Sequence, residues 1–230
     1  MRKNLIYDLP TRIFHWFFVA LFIFAFFVAK TIDDENPVFS YHMIAGLMLG
    51  ELVVLRLIWG IVGTKYARFS SFVLRPKNLI EYSKGILTGI KKRWDGHNPA
   101  SSWSTIIMLG SAMMLAITGV LMTTGAKETF EDIHELFANA FLVTALLHIA
   151  GVLLHALRYQ DGIALAMIHG KKEKASDYSQ ISGHKPMIAL LFVILISVLG
   201  YDLYKNYSIS TQELKFFGKT LSLGEVEDDE

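Results

Sequence analysis

HELFANAFLVTALLHIAGVLLH, residues 134–155, is the stretch on which the fold turns. It is apolar over most of its length and long enough to cross about 30 Å of hydrocarbon as a helix. It nevertheless carries His134, His148 and His155. Imidazole inside a membrane helix normally faces the interior of a bundle and meets a partner there. His134 and His148 are fourteen residues apart, which places them within about 40° of one face and about 21 Å apart along the axis. One helix can therefore offer ligands at two depths. His155 follows seven residues later on nearly the same face.

Four further stretches have the same apolar character. With the first, the candidate spans are residues 13–29, 43–62, 103–123, 136–157 and 187–204. Of the 230 residues, 53% are hydrophobic and 19% charged, against about one quarter charged in a typical soluble domain. Backbone polar groups have no water to bond with in the bilayer core, so spans of this kind are helices. The expected fold is an all-α integral membrane protein. It has a four-helix cofactor-binding bundle (residues 1–172), a linker and fifth C-terminal transmembrane helix (173–204), and an acidic outer tail (205–230). The first apolar stretch follows a short basic start but lacks a small-residue cleavage site, and is read as a retained helix.

The segments between the spans set the orientation. Alternate segments, beginning with the amino terminus, hold sixteen Lys and Arg, whereas the others hold five. Positive charge stays on the cytoplasmic side. The expected topology is therefore a bacterial inner-membrane protein with its amino terminus inside and its carboxyl terminus outside. In the basic segment 64–102, Pro76 opens a stretch in which Leu79, Ile80, Ile86, Leu87 and Ile90 recur at helical spacing between lysines. This predicts an amphipathic helix on the cytoplasmic surface. The polar tail, ending in Glu225-Val226-Glu227-Asp228-Asp229-Glu230, has too little apolar surface to fold alone.

The chain contains no cysteine, which excludes disulfides, thiolate nucleophiles, cysteine-held iron–sulfur clusters and thioether-linked haem within it. Histidine is the remaining strong iron ligand. His42 begins the second span at the level where His134 begins the fourth. His15 begins the first span at the level towards which His148 and His155 descend. The depths predict an outer pair, His42 with His134, and an inner pair, His15 with either His148 or His155. Two bis-imidazole sites suit two b-type haems that exchange electrons. His97, His169 and His184 fall in cytoplasmic loops.

Other residues fit such sites and also have plainer readings. Gly46, Gly50 and Gly151 leave gaps beside the histidines for a flat macrocycle, or allow close helix packing. Arg56, fourteen residues after His42, pairs with haem propionates or snorkels to headgroups. Glu51 lies half a turn from the His42 face, against another helix, a quinone or a partner subunit.

Several of these segments resemble the bacterial cytochrome b561 family, which includes cytochrome b subunits of nickel–iron hydrogenases. The resemblance rests on residues 7–16 (YDLPTRIFHW), Gly96-His97-Asn98-Pro99, His134-Glu135-Leu136-Phe137-Ala138-Asn139 and Leu147-His148, and covers roughly residues 5–172. It implies two haem b groups, one held by His15 and His148 and the other by His42 and His134, with His155 beside a propionate or quinone. It assigns no role to the fifth helix or the tail. The leading expectation is a membrane cytochrome passing electrons between the quinone pool and an outer c-type cytochrome or hydrogenase-like subunit. Membrane lipid is a further partner, and nucleic acid is not expected. A self-contained oxidoreductase acting on a small oxidant or metal ion, and a non-haem transporter or scaffold, are the rival classes.

Overall fold

Four helical stretches are long and apolar enough to cross a membrane: Leu9–Thr31, Pro37–Val62, Pro99–Tyr159 and Pro186–Asn206. They come from a computed structural model that describes residues 3–90, 92, 94, 96–173 and 180–224. The chain begins with strand β1 (Lys3–Leu5), then α1 (Leu9–Thr31) and α2 (Ser40–Val62). A basic segment holding α3 (Pro76–Thr88) leads to α4 (Pro99–Leu121) and α5 (Lys127–Tyr159). After these come α6 (Ile163–His169), β2 (Lys171–Glu173) and α7 (Pro186–Asn206). The described chain closes with β3 (Tyr207–Ser208), β4 (Glu213–Phe216) and β5 (Lys219–Ser222).

Local chemistry sets the helix ends. Asp8 caps α1 by accepting the Thr11 N–H at 2.8 Å, and Asn98 caps α4 by accepting the Ser101 N–H at 2.8 Å. In both helices a proline occupies the first turn, where its missing N–H costs nothing. The stretch Pro99–Tyr159 is two helices that fold back on one another. At Thr124 and Gly125 the backbone leaves helical geometry, and Gly125 takes φ +90°, which a residue without Cβ adopts readily. α4 and α5 then pack side by side.

A core of Phe18, Leu52, Trp59, Leu109, Phe141 and Phe192 joins α1, α2, α4, α5 and α7. Large apolar side chains such as Phe24, Ile61, Leu146, Leu157 and Val198 face outward, as a lipid-solvated surface requires.

Two ends of the bundle can be distinguished by what covers them. At the basic end, which carries α3 and both ends of the segment between α5 and α7, β1 pairs antiparallel with β2. The Ile6 and Tyr7 N–H groups bond the Gly170 carbonyl, and Ile181 N–H bonds the Leu5 carbonyl. Asp8 is the hub beneath this clamp. Fully buried, it also accepts from Trp59 Nε1 of α2 and from the Thr64 hydroxyl just beyond that helix. None of α3 is buried, and Ile80 and Leu87 are exposed along its stripe. Arg158, at the end of α5, donates to the Gly85, Ile86 and Ile90 carbonyls and holds the end of α3.

The mostly helical fold also carries two small antiparallel sheets, β1–β2 and β3–β4–β5. The described residues after Lys205 form the second of them. Leu214, Leu221 and Leu223 are buried with Leu203 of α7 and packed by Met43, Ile44 and Leu47 of α2. The segment cannot fold alone, but it folds against two helices that supply the missing apolar surface. Its acidic terminus, 225–230, lies outside the described residues.

Asp8→Ala removes a helix cap and leaves two buried donors unsatisfied. It should destabilise the protein by about 3 kcal/mol, measured as a lowered midpoint of thermal unfolding in detergent, whereas Asp33→Ala in an exposed loop should change little.

Candidate functional site

At the end opposite the basic loops, α1, α2, α4 and α5 surround a largely apolar cavity of about 380 Å³. Phe22, Ala25, Gly46, Ala112 and Phe141 are among its walls, and His42 and His134 both line it. The two imidazoles are steered by their Nδ1 atoms. His42 Nδ1 lies 2.9 Å from the Ala25 carbonyl of α1, so that nitrogen donates. His134 Nδ1 lies 2.8 Å from the Thr118 hydroxyl of α4. With Nδ1 engaged, each ring has Nε2 left as a ligand, the arrangement by which an outer hydrogen bond fixes both tautomer and ring direction. The ring centroids are 6.1 Å apart, with planes inclined at 68°. Two metal–imidazole bonds of about 2 Å and two ring radii of about 1 Å add up to about 6 Å. The spacing therefore suits two imidazoles that would hold one iron between them.

The second cluster lies at the basic end. His15 and His148 are electrostatic neighbours there, and His15 Nδ1 is buried without a hydrogen-bond partner among the described residues. Arg56 is 3% exposed, its guanidinium 5.9 Å from the Phe14 ring centroid and 5.0 Å from that of Phe69. Its Nη1 has no partner among the described residues. Burying a cation this deeply without a full set of acceptors is costly. The site thus has an orphaned guanidinium of the kind that a carboxylate-bearing ligand satisfies. Among the described residues no group of three or more His, Cys, Asp or Glu side chains is arranged to hold a bare metal ion.

The family model for prokaryotic cytochrome b561 matches residues 6–170. The chain belongs to that family. No curated protein and no solved structure matches it. Membership makes this a membrane b-type cytochrome that transfers electrons, and α1, α2, α4 and α5 are the long helices within the matched region. The far-end cavity fits the family's b-type haem on three observations: a largely apolar chamber, two imidazoles at an iron-spanning distance, and both rings oriented from behind.

The remaining candidates divide by environment. Gly46 has no atom within 4 Å of where a Cβ would stand and lines the cytochrome's far-end cavity, whereas a Cβ on Gly50 would stand 3.1 Å from Ala116 Cβ, in the contact between α2 and α4. Gly151 is exposed with open space beside it. His155 is engaged elsewhere. Its Nε2 is 3.1 Å from Asp161 Oδ2 and its ring stacks on Tyr159 at 4.4 Å. Lys172 Nζ also reaches Asp161, at 3.2 Å, and donates to the Trp94 carbonyl at 2.7 Å. Glu51 faces a cleft beside α7, with Oε2 buried and without a partner among the described residues.

His97 is the residue whose surroundings differ most from its sequence reading. It does lie in the loop before α4, but it is enclosed there, 4.5 Å from the Phe72 ring and 5.7 Å from that of Tyr7. Burial, with help from the charges of Arg56, His148 and Lys172, pushes its imidazole down to about 3. It therefore stays neutral beside Arg56. The sequence signal was available, because Gly96-His97-Asn98-Pro99 puts His97 immediately before a capped helix. What the signal lacked was the fold-back that brings Tyr7 and Phe72 over it.

Asp161 gives a pH test of the basic-end packing. Burial would raise its carboxyl, but the hydrogen bond from His155 and the Lys172 ammonium override this and hold it at about 2. A carboxyl lowered on folding contributes stability above its unfolded value, near 4, and loses it as pH falls through the folded value. Stability should therefore decline between about pH 4 and pH 2. Asp161→Asn should be less stable at pH 7 and lack that part of the decline, as read from unfolding midpoints across this range.

Proposed function

We propose that this cytochrome b561 family member is a di-haem electron conduit of the bacterial inner membrane. In this reading five helices cross the membrane, with α7 as the fifth. The basic end is cytoplasmic and the far end faces outward. Electrons pass between the quinone pool and an outer redox protein, a c-type cytochrome or a hydrogenase-like subunit. The observation that carries the reading is the His42–His134 pair, 6.1 Å apart across the far-end cavity with each Nδ1 tied back to the protein.

When bound, haem b supplies one-electron redox chemistry at iron. The chain's own residues do the rest. His42 and His134 would both hold the iron at the outer level, leaving small oxidants no open coordination site. His15 and His148 would do the same at the inner level. The pairing with His148 rather than His155 is supported by the engagement of His155 Nε2 with Asp161. Arg56 offers its buried, partner-seeking guanidinium to a propionate of the inner haem. His97, neutral and packed between aromatic rings, fills the space beside Arg56 without adding charge. His134 and His148 stand on one helix about 21 Å apart along its axis, so they would hold the two cofactors at different depths of the bilayer.

Single substitutions test the assignment. His42→Ala and His134→Ala should each halve the haem content and remove one component of the reduced-minus-oxidised spectrum. His15→Ala and His148→Ala should remove the other component. Both haems should survive His97→Ala, and retention of two haems in His42→Ala would refute the outer assignment. Arg56→Gln should lower the potential of the inner haem, because loss of a nearby positive charge favours ferric iron; a redox titration followed in the α-band reads this directly.

A further inference from the structure

The far-end cavity is not built by the four helices of the cytochrome b561 region alone. Leu221, Ser222, Leu223 and Gly224 also line it, and they come from the C-terminal sheet, beyond the matched residues 6–170. Three attachments hold this segment over the cavity. The buried Ser40 hydroxyl, at the first residue of α2, donates to the Leu223 carbonyl at 3.1 Å. The Leu223 N–H donates to the Gln212 carbonyl at 2.8 Å. Leu221 and Leu223 are buried with Leu203 and Leu214 against α2. β5 also touches the reversal between α4 and α5. The segment therefore runs from the start of α2 towards the α4–α5 turn, across the end of the chamber that holds His42 and His134.

We infer that residues 221–224 are the retaining wall of the outer haem pocket, a part of the binding site supplied by the C-terminal sheet. This rests on the outer pocket's holding haem, as proposed above. The apolar face of the wall, Leu221 and Leu223, covers an edge of the cofactor that the helices leave open. By excluding water there it raises the cost of the charged ferric state. It also blocks the path by which the cofactor leaves once an axial bond opens. Gly224 is part of the closure, because a Cβ there would collide with Oε1 and Cδ at the end of the Gln212 side chain. A larger residue at this point must displace the Gln212 side chain, on the residue whose carbonyl holds the Leu223 N–H.

The test uses the purified, haem-loaded full-length protein in detergent and three variants. One stops after Asn206, the second is Gly224→Val and the third is Leu223→Asp. Haem release is followed by transfer to excess apomyoglobin, and the potential of each haem by redox titration. The wall predicts that the chain ending at Asn206 loses one haem at least tenfold faster than the full-length protein, with the second haem unaffected. The fast component should be the one absent in His42→Ala, and its potential should fall. Gly224→Val and Leu223→Asp should show the same changes to a smaller degree, and they decide the matter if the shortened chain fails to accumulate. Equal release rates and unchanged potentials in the variants, with two haems present, would overturn the wall while leaving the outer haem site intact. If the full-length protein has the same haem content as His42→Ala, the outer site itself is wrong and the wall falls with it.

Discussion

An imidazole buried in an apolar bundle has two nitrogens, and the protein must dispose of both. If one is to bind a metal, the other needs a hydrogen-bond partner, or the ring is left with an unsatisfied polar atom and no fixed direction. His42 and His134 meet this constraint from outside their own helices, through the Ala25 carbonyl of α1 and the Thr118 hydroxyl of α4. The pair thus requires four helices rather than two. α1 and α4 act behind the ligands, and any shift of either rotates a ring away from the cavity. This is why the bundle must be held rigidly at its ends, where the buried Asp8 hub and the β1–β2 pairing lock α1 to α2 and to the segment after α6.

The two ends of the bundle solve the problem of buried polarity differently. At the far end the Nδ1 atoms of the two rings are matched within the protein and the cavity is largely apolar. At the basic end Arg56, His97 and His15 each keep a buried nitrogen without a partner among the described residues. Nearby, Asp161 draws on both His155 Nε2 and Lys172, while His155 Nδ1 is likewise buried without a partner among the described residues. The basic end therefore carries an excess of buried nitrogens, which fits a site in which the anionic edge of a cofactor faces the Arg56 side.

Much of this was legible in the sequence. The helices follow from apolar runs bounded by Asp8, Asn98 and prolines. The fourteen-residue step from His134 to His148 puts both on one face whatever the neighbouring helices do. The amphipathic α3 could be read from Pro76 and the recurrence of Leu79, Ile80, Leu87. Other features depend on contacts between distant segments. Asp8 looks like an ordinary helix cap until Trp59 and Thr64 arrive from α2. The leucines at 214, 221 and 223 are too few to announce a core, and they acquire one only because α2 and α7 present Met43, Leu47 and Leu203 to them. His97 looked like a loop residue because its loop is enclosed by chain from elsewhere. Periodicity reports which face of an element is apolar, and says little about which remote segment will cover it.

The pairing of β1 with β2 also bears on how the protein is made. Residues 3–7 leave the ribosome ahead of the helices, yet their partners at 170–173 and 181 come after four long helices. The amino-terminal strand and the start of α1 therefore lack their final neighbours during most of translation, and the segments that cap the far end arrive later still. Helices enter the membrane one by one, but both mouths of the bundle stay open until the last third of the chain has emerged. Such an order of synthesis leaves a window in which a large planar cofactor can slip between the helices before the chain seals it in.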